Sequence, residues 1–245
     1  MSMQPTEQAR QPHAVLDMPS RRWKAMKIHQ LLGLTSRAVP LRLLEVGTGS
    51  GGIAHYFGTH PDLRCEVDAV DVHDNRMIRD GYRFQLVTDT KLPFEDHSFD
   101  VVISNHVIEH VGTESDQREH LRELRRVMKP DGLGYLAVPN RWMLVEPHYR
   151  LAFLSWWPHA WRDTYLRIMN KGHVYDCEPL EMRQLEHLLV GAGFRYSNQC
   201  IEAWRLTFDI ERPEASATRL MRKIPDALLK PLRPIIPTLI YRIWQ

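Results

Sequence analysis

The chain has 245 residues, enough for one large α/β domain with an ample core or for a domain with an appendage. Its 32 Lys and Arg nearly balance 30 Asp and Glu, giving a formal net charge of +2, so the charge balance demands no nucleic-acid partner, which would need a clustered basic face. Three scattered cysteines, Cys65, Cys177 and Cys200, form no Cys-x-x-Cys spacing. That argues against a disulfide framework or a zinc knuckle and for reduced cytoplasmic thiols, and no apolar run approaches the roughly 20 residues of a membrane span.

Residues 1–18 are polar, broken by Pro5 and Pro12, and lack the apolar core of a signal peptide, so they read as a mobile N-terminus. From Pro19 or Ser20 to about Leu34 the spacing predicts a helix. Trp23, Met26, Ile28, Leu31 and Leu32 share one face of it, while Arg21, Arg22, Lys24 and Lys27 stay wet. It caps the fold or lines the mouth of a site. Strands are expected near 41–46, 65–71, 83–88, 99–104 and 132–138, and helices near 51–58, 74–80 and 115–128. The last helix has a stop in Lys129-Pro130-Asp131-Gly132. Alternation of this kind implies a parallel sheet with right-handed crossovers.

After Asn140 the character changes. Residues 141–175 carry Trp142, Phe153, Trp156, Trp157, Trp161 and Tyr165 among Arg141, Arg150, Arg162 and Arg167, an aromatic-rich insertion ahead of a helix over 179–190. Residues 194–200 and 203–210 read as a closing antiparallel pair. The expected fold is α/β: a Rossmann-like, seven-stranded, mostly parallel sheet with helices on both faces, spanning 19–212. Residues 213–245 form a C-terminal amphipathic tail, broken by Pro213, Pro225, Pro231, Pro234 and Pro237. Its alternating apolar and basic residues suit an anionic membrane surface, the domain's own flank or a second subunit.

The stretch LLEVGTGSGG, residues 43–52, organises the rest. An apolar run ends at Gly47, Gly49, Gly51 and Gly52, and Ile53, Ala54, Tyr56 and Phe57 resume at helical spacing. In a parallel sheet such a turn lies at the carboxyl end of the first strand, where a missing Cβ lets a nucleoside ligand touch the backbone. Gly47, Gly49 and Gly52 also satisfy G-x-G-x-x-G, which leaves a dinucleotide open. Glu45 speaks against one, because a carboxylate repels a pyrophosphate and attracts an ammonium or a sulfonium. Asp71 ends the second apolar run about 20 residues on, where an acidic side chain receives ribose hydroxyls. LPFEDHSFDVVISNHVIEHV follows at 92–111, with Asp89 just ahead of it.

These ordered motifs, from Leu41 to Asn140, resemble the class I S-adenosylmethionine-dependent methyltransferases of the type 11 group, which carry E/DxGxGxG, GD-x-LPF and DxSFDxVxS. Thr88 stands where that group usually has Gly, and the Asp89–Leu92 spacing is one residue short. The resemblance implies S-adenosyl-L-methionine as cofactor and S-adenosyl-L-homocysteine as product. It implies Glu45 and the backbone of Gly47, Thr48, Gly49 and Gly51 at the methionine portion, Asp71 at the ribose and Asp89 at the adenine. Val72 and Thr90 adjoin these in the cofactor site, and Asn105 and His106 stand beside the sulfonium. A hydroxyl acceptor needs a base, for which histidine is suited. His148, within EPHY, is preferred over His173 and His110. HVIEH matches an inverted zincin spacing, but the same letters recur in methyltransferases and a third ligand is missing, so no metal is expected.

Residues 140–158 are similar to methyltransferases of bacterial cell-surface polysaccharide synthesis. Arg141, Arg150 and Arg162 suit a phosphate or carboxylate, and the tryptophans a sugar ring or lipid headgroups. The leading expectation is therefore a cytoplasmic enzyme, in contact with the inner membrane surface through its tail, that O-methylates a lipid- or nucleotide-linked saccharide. Its rivals are methylation of a quinone precursor or another hydrophobic small molecule, an NAD-dependent oxidoreductase, and a non-catalytic nucleoside-binding scaffold.

Overall fold

A computed structural model describes residues 17–146, 149–175 and 177–245. Helix α1 (Met18–Leu32) starts with Pro19 in its first turn and ends on Gly33 at φ 61°, a left-handed closure that a Cβ would disfavour. It buries Ala25, Ile28, Leu31 and Leu32. Then follow β1 (Leu41–Val46), α2 (Gly52–Gly58), β2 (Cys65–Asp71), β3 (Arg83–Leu86), β4 (Phe99–Asn105), a 3-10 turn (Ile108–His110), α3 (Glu114–Val127) and β5 (Met128–Pro139). Helix α3 opens with a capping box. Thr113 Oγ1 accepts the Asp116 N–H at 3.4 Å, and the Asp116 carboxylate accepts the Thr113 N–H at 2.7 Å.

The insertion holds a two-stranded ribbon, β6 (Val145–Glu146) and β7 (Leu151–Ala152), a 3-10 turn (Leu154–Trp156) and α4 (His159–Ile168). After it come α5 (Met182–Gly191), β8 (Arg195–Asn198), α6 (Cys200–Glu211), α7 (Ser216–Lys223), α8 (Asp226–Leu229), a 3-10 segment (Lys230–Ile235) and β9 (Thr238–Trp244).

The main sheet has seven strands in the order β3-β2-β1-β4-β5-β9-β8. β1 to β5 are parallel, and β9 runs antiparallel to both of its neighbours. Period-2 alternation divides the side chains between two layers. Leu43, Val101, Ile103, Tyr135, Ala137 and Ile240 pack under α1, α2 and α6; Leu44, Val102, Leu136, Val138, Leu239 and Tyr241 pack on the α3 and α5 side. Each leucine so buried contributes roughly 1.5–3 kcal/mol of transfer free energy.

Two expected elements are replaced. Residues 74–80 are not helical. The Asp74 carboxylate accepts the Arg76 N–H at 3.3 Å and the Arg76 guanidinium at 2.8 Å through each oxygen, a local closure that competes with a helical turn. Met77 and Ile78 then donate their N–H groups to Ser50 O. Residues 203–210 are not a strand but the body of α6, just ahead of which Asn198 Oδ1 accepts the Cys200 N–H at 3.1 Å. The strand that pairs with β8 is β9, so residues 238–244 lie inside the sheet, between β5 and β8, and the sheet does not end at residue 212.

Candidate active site

The chain passes from β1 outward through β2 to β3 and then crosses to β4 on the other side of β1. The crevice beyond the carboxyl ends of β1 and β4 is therefore the switch point where open α/β sheets take their ligands. The β1 tip is folded by its neighbour. Gly47 N–H, Thr48 N–H and Thr48 Oγ1 all donate to Val70 O, at 2.9, 3.3 and 3.1 Å. Gly49 N–H donates to Asp71 Oδ2 at 2.8 Å and His73 N–H to Asp71 Oδ1 at 3.2 Å, so one carboxylate ties the glycine turn to the exit of β2. Gly47 and Gly51 sit at φ 81° and 83°. A Cβ at Gly47 would collide with Val107 Cγ2, and one at Gly51 with Tyr82 Oη and Ile78 O. At these two positions the sequence reading assigned the missing Cβ to a ligand; protein atoms use it first.

Glu45 points under the turn. It is 1% exposed, and its Oε2 accepts Ala54 N–H at 3.0 Å. Burial pushes its carboxyl up to about 8, against the pull of the Ala54 N–H and of Arg21 and with a push from Asp71. Near neutrality it is thus largely protonated and organises the turn.

The β4 tip is built differently. Asn105 is buried, and His106 takes the left-handed region at φ 59° while donating its N–H to Ala137 O at 2.9 Å. His106 Nδ1 lies 3.2 Å from Glu109 Oε1, and His110 Nε2 lies 4.0 Å from the same oxygen. Cys177 Sγ is 3.8 Å from His110 Nδ1, and Glu178 N–H donates to Glu109 O at 2.9 Å, so the far end of the insertion is fastened to this turn. Lys24 of α1 faces the same place. Burial, reinforced by Arg21 and Lys27, lowers its ammonium to about 7, and Glu109 and Glu211 oppose the shift.

Residues 44–136 match the profile of a family described as a methyltransferase domain. An uncharacterized methyltransferase of Bacillus subtilis, YcgJ, is 35% identical over 115 residues, covering 44% of this chain and 41% of that protein. The mitochondrial ubiquinone biosynthesis O-methyltransferase of Arabidopsis thaliana is 25% identical over 184 residues, 69% of this chain and 54% of its own length. Thus the matched part of this chain spans only about half, or less, of these curated relatives. Among solved structures, the complex of the Haloferax volcanii Trm112 methyltransferase activator with a putative methyltransferase superposes with a TM-score of 0.53 at 17% identity, covering 93% of this chain and 91% of that one. Within residues 44–136 the chain is thus similar to methyltransferase domains.

In a class I methyltransferase the cofactor is S-adenosylmethionine, and the strand tips of this chain fit it. Ser50 Oγ on the β1 turn and Asn105 Oδ1 on the β4 tip are buried and find no hydrogen-bond partner among the described residues. Two orphaned polar atoms flanking one crevice are costly without a polar ligand. Asp71 stands at the β2 tip, on the side of the β1 turn away from β4, followed by Val72, which is 54% exposed and offers an apolar surface. Asp89 is exposed and accepts Lys91 N–H at 2.8 Å, and the half-buried Thr90 follows it in the same turn.

The residues expected as bases are dispersed. His148 lies outside the described residues. His173 is exposed in the insertion, and His110 rests against Cys177. Among the described residues no group of three His, Cys, Asp or Glu is arranged to hold a metal. Of the arginines expected as a substrate clamp, Arg162 is buried and committed to protein. It donates to Trp157 O at 3.0 Å and Ser155 O at 3.4 Å and faces Glu178 at 3.5 Å. Arg141 lies 3.7 Å from Glu181, and only Arg150 is fully on the surface. The sequence reading missed the pairing of His106 with Glu109, for which the i, i+3 spacing in HVIEH was the available signal.

Proposed function

We propose that the chain transfers a methyl group from S-adenosylmethionine to a hydroxyl of a lipid- or nucleotide-linked saccharide. When bound, the donor supplies a methyl group on a cationic sulfur, whose bond breaks with the electron pair left on sulfur. The chain's own residues have to orient donor and acceptor and take up the hydroxyl proton. The observation that carries the reading is the pair of orphaned polar atoms, Ser50 Oγ and Asn105 Oδ1, on the two tips that border the crevice.

The saccharide rests on the insertion. Trp157 and Trp161 stack at 5.8 Å with 23° between their planes, both are at least 40% exposed, and rings held this way suit a sugar face. Arg150 adds a surface cation for a phosphate. A lipid carrier would bring the enzyme to the cytoplasmic face of a membrane. Residues 216–235 contain Arg219, Arg222, Lys223, Lys230 and Arg233 and one acid, Asp226, with Leu220, Leu228, Leu232 and Ile235 exposed; of these cations Arg222 pairs with Asp209. That composition supports peripheral contact with an anionic bilayer; among the described residues no helix is long and apolar enough to cross one. The similarity to a ubiquinone O-methyltransferase favours a second reading, a quinone precursor as acceptor.

One set of measurements separates these readings. Calorimetry should show S-adenosylhomocysteine binding, and preference for NAD would end the donor assignment. Tritiated donor, offered nucleotide-sugar, lipid-linked saccharide and quinone fractions of a bacterial extract, should label the saccharides; label in the quinone fraction alone replaces the acceptor. Co-sedimentation with phosphatidylglycerol vesicles but not with phosphatidylcholine vesicles is expected, and equal recovery with both refutes the anionic contact.

A further inference from the structure

We propose that His106 is the catalytic base of this methyl transfer and that Glu109 is the residue that positions it, an assignment that rests on the methyltransferase reading above. Three independent features of the β4 tip converge on the pair. The first is conformation. His106 holds φ 59°, an uncommon state for a residue with a Cβ that persists only where the surroundings enforce it. Its N–H bond to Ala137 O, across to β5, fixes the backbone in that state.

The second feature is the ring's partner. His106 Nδ1 stands 3.2 Å from Glu109 Oε1, and the Glu109 side chain is fully buried while that of His106 is 23% exposed. At that distance a carboxylate favours the proton on Nδ1 and the lone pair on Nε2, the tautomer a general base requires. The third is location. Val107, next in the chain, packs where a Cβ of Gly47 would be, so His106 is the chain neighbour of the residue that fills the glycine turn of the donor site. His110 shares the 3-10 turn and approaches the same carboxyl oxygen only to 4.0 Å, with its ring against Cys177.

Among the described residues, the charged and titratable groups around the pair include Glu109 and His110 on its own turn, Lys24 from α1 and Cys177 from the segment before α5. As the acceptor oxygen takes up the methyl carbon, its proton passes to His106 Nε2. The imidazolium keeps its Nδ1 proton against the Glu109 carboxylate, which offsets the new charge. A neutral hydroxyl and a sulfonium thus become an ether, a neutral sulfide and an imidazolium, and the imidazolium later releases its proton to water.

The test reads the ring directly. In the full chain, nitrogen-15 spectra of the histidines, assigned with His106→Gln, should show His106 as the Nδ1–H tautomer. In Glu109→Gln its pKa should fall by about one unit or more, because a neighbouring negative charge is lost. With tritiated donor and the labelled fraction of the extract, His106→Gln should lower the rate at least about 100-fold. Glu109→Gln should lower it less and shift the acid limb of the pH–rate profile downward. Both variants should bind S-adenosylhomocysteine within about threefold of the wild type. An Nε2–H tautomer, a His106 pKa unmoved in Glu109→Gln, or more than about a tenth of the rate in His106→Gln overturns the assignment. If S-adenosylhomocysteine fails to bind the wild type, the donor reading falls instead, and the spectra still judge the pair.

Discussion

Glu45 and Glu109 stand at the carboxyl ends of adjacent strands, each 1% exposed, and they serve different ends. Glu45 faces the backbone amide of Ala54 at 3.0 Å, whereas Glu109 faces an imidazole at 3.2 Å. An amide asks only for an acceptor, which a protonated carboxyl also provides, while an imidazole can become charged and is then favoured by a full carboxylate. Burial alone therefore says little about an acidic residue in an active site. The polar group it faces decides whether it shapes the backbone or manages a proton.

The two tips are not independent, since Val107 beside the histidine fills the space that Gly47 leaves open. Gly47→Ala should have the largest effect of any single change. It places a Cβ at φ 81°, a left-handed state that costs about 1–2 kcal/mol, and drives it into Val107. Calorimetry with S-adenosylhomocysteine should show affinity reduced more than about 100-fold, and the His106 resonances should move as the β4 tip is displaced. Unmoved resonances would mean that the turn yields alone and that the tips do not lean on each other.

Asp71→Ala should come next. The carboxylate accepts Gly49 N–H at 2.8 Å and His73 N–H at 3.2 Å, and its loss leaves a donor of the turn unpaired as well as removing the proposed ribose contact. Unsatisfied groups of this kind cost roughly 1–3 kcal/mol, so affinity for S-adenosylhomocysteine should fall about 5- to 150-fold. The His106 tautomer should stay as it is. An affinity equal to that of the wild type removes Asp71 from the donor site.

How far the molecule could be read from its residues follows the same division. The β1 turn was legible because its signals are local: an apolar run, glycines where φ is positive, and an acid at the next strand end. The five parallel strands followed from alternation. Beyond Asn140 the deciding contacts are long-range. Residues 203–210 carry apolar side chains at a spacing that suits either a strand or the helix they form, and only pairing with a distant segment resolves such a choice. That segment was visible in part: after Pro237 come Thr238, Ile240, Tyr241, Ile243 and Trp244, β-formers without a further proline, but the basic and proline-rich stretch before them obscured it. Arg162 was read as a clamp because its letter is cationic; its commitment to Trp157 O, Ser155 O and Glu178 depends on how the insertion folds on itself.

The smallest expected effect on donor affinity belongs to Glu45→Gln, and it is the sharpest test of the contrast with Glu109. The amide keeps an acceptor for Ala54 N–H and cannot ionise, so affinity for S-adenosylhomocysteine at neutral pH should stay within about threefold, under ~0.7 kcal/mol. Its signature is in stability instead. The Glu45 carboxyl, at about 8 in the fold against 4.5 when exposed, holds between those values a proton that the unfolded chain has released. The native state then binds more protons, so the contribution is fully present below about 4.5 and is lost as pH rises toward 8. The buried His120, lowered to about 4 by burial, acts with the opposite sign on the acid side, where stability falls as pH drops below its ordinary 6.5. Melting temperature measured from pH 5 to 8.5 should therefore be nearly level below 6.5, where the two slopes offset, and decline above it in the wild type, whereas Glu45→Gln should rise up to about 6.5 and stay level above it. A loss of donor affinity beyond about tenfold, with the alkaline decline intact, would mean that Glu45 carries charge toward the donor as Glu109 does toward His106.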